Sequence, residues 1–527
     1  MTTQRLLAAS FIVLALAMIA WDILMAGRIT NLRRIPRSFQ ALTGIAGLLL
    51  VPALVVAYTS ASMLYGRAIF LVAWLWPFTA SLFVLQTILA LARRLVTPLL
   101  GFPLLVYNTI IAVVAIAKFT IASGGTPPDL ALAFNAAQAS MLGTFFGAAA
   151  LWNPLYMQVP LFAPSLPARW GFTRLARVVL AGTAIALTVL VVIEMPGAFA
   201  AINSYQRHQN DQLQEHPEGD FRIGLKIFPD LRNGPPPLAI RHDFALADTM
   251  RVDALSVVVN PEGARGVPLD SLARAIERER SDSTLLIVAL GYPKDGGDQI
   301  RASRQAYTEA RIRDIDRLAR RLRPSYIIPA VDPLEEGDRV LGDQTPAYWI
   351  EYLTRAAAAA HYVNPNIKVG VSMSSYGTRD SILYAWAARP GTPINTVGFS
   401  LFAGFDGARS LDTEMRVAQR WMRQFPRPKE HWVFAAGGYP LLHGELNQQR
   451  AIWGVLAWAT AEQPIKGFVV YEAGDYNTVR GLRAPSGRLR AATARILKAD
   501  SALKSSAVAG VGASSAPVPV PPAGTAR

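Results

Sequence analysis

The chain changes character near residue 200. Before it lie six long apolar runs; after it, short β-branched runs alternate with amphipathic helical stretches. A chain patterned this way cannot fold as one soluble globule. The apolar runs extend approximately from Leu6 to Met25, Ala41 to Thr59, Ala68 to Leu91, Leu100 to Ile121, Leu130 to Trp152 and Val178 to Phe199. Each is close to the ~20 residues that a helix needs to cross a bilayer. They account for an overall balance of 52% hydrophobic against 17% charged residues, beyond what a soluble protein of 527 residues carries.

The loops between these runs carry a topological signal. Arg28, Arg33, Arg34 and Arg37 follow the first run, Arg93 and Arg94 follow the third, and Arg169, Arg174 and Arg177 precede the sixth. Arg67 is alone in its loop, and the loop Ser123-Gly-Gly-Thr-Pro-Pro-Asp129 has no basic residue. Because basic loops stay cytoplasmic, the second half of the chain is expected outside, on the periplasmic or outer face. The same clusters explain much of the formal charge of +15 without nucleic acid. The first run is expected to be a span, not a signal peptide, since it ends in a basic stop-transfer pattern without a small-residue cleavage site.

Asp22, Lys118 and Glu194 are ionisable residues inside the runs, near their ends, where snorkelling is cheap. Gln86, Asn108, Asn135 and Gln138 are expected to bond between helices. The proline- and aromatic-rich segment Asn153 to Arg174 is too irregular for a span and is expected along the cytoplasmic interface.

Beyond a polar connector the hydrophobic period becomes that of parallel βαβ units. Eight strands are expected: Arg222 to Phe228, Ala254 to Val259, Thr284 to Leu290, Tyr326 to Val331, Lys368 to Met373, Thr396 to Leu401, His431 to Ala436 and Gly467 to Tyr471. Tyr307 to Arg321, Pro346 to His361, Leu411 to Gln424 and Glu445 to Ala461 are the clearest helices between them. Eight such units close into a (β/α)8 barrel, which buries the apolar strands on both faces. An open doubly wound sheet is the alternative, but the Gly-rich phosphate loop that usually accompanies it is missing. The expected organisation is therefore a six-span transmembrane bundle over 1–200, a connector over 201–220, the barrel over 221–500 and a tail without structure over 501–527.

The working face of such a barrel is built from the C-terminal ends of its strands. Those ends carry Lys226 and Asp230; Asn260 and Glu262; Tyr292, Lys294 and Asp295; Asp332 with Glu335 and Glu336; Ser372, Ser374, Ser375 and Tyr376; Phe402 and Asp406; Tyr439; and Tyr471, Glu472, Asp475 and Tyr476. Rings and carboxylates around one mouth suit carbohydrate. Rings stack on sugar faces, and paired acids protonate a glycosidic oxygen and activate water. Catalytic candidates are Asp332, Glu472 and Asp406. Substrate-binding candidates are Asn260, Tyr292, Phe402, Tyr439, Tyr471, Asp475 and Tyr476.

At these positions the chain resembles the barrel glycoside hydrolases. Ala330-Val331-Asp332-Pro333 is similar to their strand-four Asn-Glu-Pro motif, and Ala436-Gly437-Gly438-Tyr439-Pro440 to their strand-seven Glu-x-Gly-Tyr-Pro motif. Tyr471-Glu472 stands where a strand-eight aromatic platform is common. The resemblance spans Phe221 to Leu497 and implies a carbohydrate polymer as partner. It departs at three positions: Val331 replaces the asparagine, Asp332 replaces a glutamate acid/base, and Ala436 replaces the glutamate nucleophile. Asp332 paired with Glu472 or with Asp406 is one expectation; a non-catalytic barrel that binds glycan or a partner in a membrane complex is the other. A bundle that transports or senses, with the barrel as accessory, is a third.

With no cysteine in the chain, disulfides, thiolate metal sites and cysteine nucleophiles are excluded. No metal-ligand spacing or cofactor loop is present, and His443 stands alone as a proton-shuttle candidate.

Overall fold

The structure, a computed structural model, describes residues 3–32, 35–59, 71–123, 159–163, a few positions between 178 and 200, 203–214, 220–227, 237–293, 295–403, 408–425, 428–440, 444–475, 480–484 and 487–513. Among the described residues, four helices lie in the N-terminal part: α1 (Thr3–Thr30), α2 (Arg37–Thr59), α3 (Leu75–Ala92) and α4 (Pro98–Ser123). Among the described residues two stretches, Arg37–Ala57 and Leu75–Ala92, are long and apolar enough to cross a membrane, and Pro98–Val113 is a shorter apolar helix. Among the described residues, then, two of the six expected spans are seen and not a six-span bundle. The run from Leu130 to Trp152, the side chains of Lys118 and Glu194, and Asn135 and Gln138 lie outside the described residues, as does most of Val178 to Phe199.

The segment expected at the interface is instead partly internal. Val159, Leu161, Phe162 and Ala163 are fully buried in the cluster of α1–α4. They are not helical, so their peptide groups need partners from elsewhere. Side chains supply them. Asn108 accepts from the Leu161 N–H at 2.9 Å and donates to its carbonyl at 2.8 Å. Gln86 does the same for Ala163 at 3.1 and 3.2 Å. Asp22 accepts from the Phe162 N–H at 2.9 Å, and the Tyr107 hydroxyl donates to the Val159 carbonyl at 3.0 Å. Phe162 stacks on Phe83, with ring centroids 4.1 Å apart. Asn108 and Gln86 therefore hold this strand-like segment, and Asn108 also bonds across helices to Thr87.

The C-terminal part is a closed barrel of eight parallel strands in sequence order. They are β1 (Arg222–Lys226), β2 (Ala254–Val259), β3 (Leu285–Leu290), β4 (Tyr326–Ile328), β5 (Lys368–Met373), β6 (Thr396–Phe402), β7 (Glu430–Gly437) and β8 (Ile465–Val470). The surrounding helices are α5 (Pro237–Met250), α6 (Gly266–Glu279), α7 (Gly296–Ala302), α8 (Arg304–Leu322), α9 (Glu336–Leu341), α10 (Pro346–Val363), α11 (Thr378–Ala387), α12 (Ala408–Met422), α13 (Glu445–Ala461) and α14 (Ala491–Ala513). Alternate residues of β1, β2, β3, β5 and β6 enter the large cluster beneath the helices, as Leu255, Val257 and Val259 do on β2.

The barrel interior is filled by a large-against-small arrangement. Trp432 and Phe434 of β7 occupy it, and glycines on neighbouring strands make room. A Cβ on Gly398 would lie 2.0 Å from Phe434, and one on Gly467 2.3 Å from Trp432. At the N-terminal end Glu430 accepts from the Tyr326 hydroxyl at 2.6 Å and from the Trp432 indole at 2.7 Å, and pairs with Lys368.

The connector is docked. Tyr205–Asn210 forms a 3-10 helix on the outside of α12 and α13. His208 lies between Asp211 and Asp412 at 2.7 and 2.8 Å, and Gly454 leaves the space it fills. The tail also differs from expectation. Helix α14 continues through Ser501 to Ala513, and Lys504 pairs with Asp500 and Asp253 at 2.8 and 3.3 Å.

Two variants test this packing. Asn108→Leu removes the partners of the buried Leu161 N–H and carbonyl, so a loss of ~2 kcal/mol or more is expected as a lower Tm in detergent; an unchanged Tm contradicts it. Gly398→Val is expected to cost ~1–3 kcal/mol by overpacking. Adding Phe434→Ala should then cost less than the two changes summed, because the clash disappears.

Candidate active site

The mouth of the barrel is organised by the way β4 ends. The chain leaves the ladder at Pro329, earlier than its β-branched sequence predicts, because buried side chains take its carbonyls. Arg311 and the Tyr352 hydroxyl each donate to the Pro329 carbonyl at 2.8 Å, and the Tyr292 hydroxyl donates to the Val331 carbonyl at 2.8 Å. Arg311 also reaches the Gly291 carbonyl at 2.7 Å, fastening β3 to β4. Asp332 follows in the left-handed region, with φ of +40°, a conformation costly for a residue with a side chain.

Four contacts hold it there. Its N–H donates to Ser372 Oγ of β5 at 2.9 Å, and Ser400 Oγ of β6 donates to its carboxylate at 2.7 Å. Its carbonyl accepts from the N–H groups of Glu335 and Gly337, both at 3.1 Å. The end of β5 is fixed in turn by Asp380, which accepts from the N–H groups of Ser374, Ser375 and Tyr376 at 3.0, 2.8 and 3.0 Å. Burial, reinforced by the Glu335 carboxylate, pushes the Asp332 carboxyl up to about 7 despite the two serines and with a further contribution from Glu336. A carboxyl tuned to that value can carry and give up a proton near neutral pH.

Across the mouth stands an aromatic wall. Phe402 meets Tyr471 edge to face at 5.0 Å, and Gly437 permits the approach, since a Cβ there would lie 2.5 Å from the Tyr471 carbonyl. Lys226 Nζ lies 3.5 Å from the centre of the Tyr471 ring. The half-buried Arg480 guanidinium lies 4.9 to 5.0 Å from the rings of Phe402, Tyr439 and Tyr471. Burial raises the Tyr471 and Tyr439 phenols, although Arg480 pulls both down. The charges of Glu472, Glu336 and Asp332 add to the rise of the Tyr471 phenol. Glu472 itself is fully buried, and the peptide joining it to Tyr471 is cis.

Of the expected site residues, Phe402, Tyr439 and Tyr471 meet around Arg480, Asp332 is held by Ser372 and Ser400, and Glu472 is buried. Asn260 is buried at the end of β2, its side chain lying across Gly291. Two other expectations are corrected. Tyr292 is no sugar platform, because its ring is buried beneath Arg311 and its hydroxyl holds β4. Asp475 is consumed by the buried Arg490, which it pairs with at 2.7 and 2.5 Å, and by the Gly481 N–H at 2.8 Å. Asp406, Tyr476, Asp230, Lys294 and His443 lie outside the described residues. Ala436 belongs to the cluster beneath the helices, so the strand-seven position is buried as well as apolar. Among the described residues no three His, Asp or Glu side chains gather in a metal-binding group.

Arg480 and Ser400 were not legible as site residues from strand ends alone. Ser400 shares strand parity with Phe402, and that signal was available. Arg480 comes from the long loop after β8, where sequence offers none.

No family model matches the chain, and no curated protein matches it. Solved structures do, among them several of a β-glucuronidase. The β-glucuronidase from Ruminococcus gnavus in complex with D-glucuronic acid matches at 11% identity and a TM-score of 0.39, over 53% of this chain and 49% of that one. The same enzyme with a C6-substituted uronic isofagomine gives 11% identity and 0.40, over 53% and 50%. This chain spans about half the length of those structures.

The raised carboxyl has a consequence for stability. Between its ordinary value of 3.8 and about 7, the folded state holds the Asp332 proton more tightly than the unfolded state. Stability from this group is therefore present at low pH and lost as pH rises through that window. Asp332→Asn is expected to gain in stability relative to the parent at pH 8 compared with pH 4, measured by chemical denaturation at both; a pH-independent difference contradicts it.

Proposed function

We propose that this chain is a membrane-anchored protein whose extracytoplasmic barrel, of the glycoside hydrolase type, engages a cell-envelope or exported polysaccharide. The observation that carries the reading is Asp332, an acid tuned near neutrality and fixed by Ser372 and Ser400 beside the wall of Phe402, Tyr439 and Tyr471. A sugar ring stacked on that wall would present a glycosidic oxygen to the protonated carboxyl, and Glu472 would be the second carboxylate. Membrane anchoring is supported by the outward faces of the N-terminal helices. Leu48 and Leu99 are 80 and 88% exposed, and Ile45, Val55, Leu85 and Phe102 also face outward, a surface suited to lipid.

A second reading has its own support. Ala436 in place of a nucleophile and the full burial of Glu472 favour a barrel that binds saccharide without cleaving it, as a scaffold or glycan-binding subunit. The two are separated by incubating the full-length protein in detergent with envelope polysaccharides and assaying reducing ends and retention. Catalysis predicts release that falls as pH rises above about 7, since Asp332 must be protonated to act as the acid. Asp332→Asn should then cost ~100-fold or more. Binding alone predicts no release, retention by the parent and by Asp332→Asn, and loss with Tyr471→Ala. Neither release nor retention for any polysaccharide would end the proposal.

A further inference from the structure

The connector enters the barrel at its mouth. Ser204 Oγ accepts from the Ala408 N–H at 2.8 Å, at the first residue of α12, and in this barrel helices begin where strands end, at the open face. From there the chain runs down the outside. Arg207 and His208 meet Asp412 at 2.8 Å, Trp453 donates to the Asp211 carbonyl at 2.7 Å, and the Gln214 N–H donates to Thr460 near the far end of α13 at 3.2 Å. Only residues 200–204 separate this upper anchor from Phe199, where the sixth apolar run stops. Five residues reach ~18 Å when extended and ~8 Å when helical. The opposite end of the barrel is farther by the length of α13, whose 17 residues make ~26 Å.

Among the described residues, four of the five exposed large apolar side chains of the barrel half sit on the same side. Val267, Ile382, Leu446 and Leu489 are between 43 and 74% exposed. Val267 and Leu446 are the second residues of α6 and α13, Ile382 is in the first half of α11, and Leu489 lies just before α14. Arg488, beside Leu489, pairs with Glu445 at the start of α13, which fixes that loop at the mouth. Tyr362, at the far end of α10, is the exception.

We infer that the mouth of the barrel faces the bilayer, with Val267, Leu446 and Leu489 on a rim that rests against the lipid headgroup surface. This rests on the membrane anchoring proposed above, and it means that a saccharide reaches Asp332 from the membrane side. A short tether at the mouth and an apolar rim lead independently to the same orientation.

The absence of cysteine makes the test direct. Single cysteines replacing Val267, Leu446, Leu489 or Tyr362 are labelled with an environment-sensitive fluorophore in the full chain. The protein is reconstituted in phosphatidylcholine–phosphatidylglycerol vesicles carrying a headgroup nitroxide quencher. The rim labels are expected to be quenched at least twofold and the label at Tyr362 left unquenched. Equal quenching at all four lays the barrel on its side and overturns the inference, as does quenching at Tyr362 alone. Failure of the protein to float with the vesicles removes the anchoring and the inference together, while the saccharide assays still judge the mouth.

Discussion

The mouth depends on the clamp at the end of β4. A buried guanidinium without a carboxylate beside it is costly, and Arg311 is accommodated by carbonyls of β3 and β4, the Tyr352 hydroxyl at 3.2 Å and the rings of Tyr292, Tyr307 and Tyr352. Burial works against its charge, and the hydrogen bond to Tyr352 supports it. Those same bonds withdraw the Pro329 carbonyl from the ladder and, with Tyr292, fix Val331. Asp332 is then presented to Ser372 and Ser400 at a backbone angle that an unsupported aspartate would rarely adopt. The acid is thus set by groups that never face the opening.

Both halves of the chain answer the same physical demand in different ways. Irregular backbone buried in an apolar setting needs hydrogen-bond partners. Around Val159–Ala163 the partners are Asp22, Gln86, Tyr107 and Asn108 on flanking helices; at the end of β4 they are Arg311, Tyr292 and Tyr352. In each place the sequence shows polar residues on otherwise apolar helix faces. Such residues are the mark of backbone that must be held away from its regular ladder.

Strand positions were legible because parallel strands buried on both faces are near-continuous β-branched runs, and β2, β3, β5 and β6 follow them closely. The end of β4 was not, since Arg311 lies 18 residues from Pro329 and looks like any polar residue of an amphipathic helix. Asp332, Phe402, Tyr439, Tyr471 and Glu472 stand at or just beyond strand ends, positions that the strand pattern marks. Tyr292 and Asp475 could not be told apart from them, because their roles are decided by the Val331 carbonyl and by Arg490, which no local pattern announces. Hydropathy marks six runs, and two of them correspond to apolar helices of sufficient length among the described residues.

The most direct measurement is a structure of the full chain with an oligosaccharide of the polymer it retains. The account predicts a sugar ring against Phe402 and Tyr471, with a glycosidic oxygen within ~2.6–3.2 Å of the Asp332 carboxyl. A saccharide bound elsewhere on the barrel, or one at the mouth that leaves Asp332 facing no glycosidic oxygen, would contradict it.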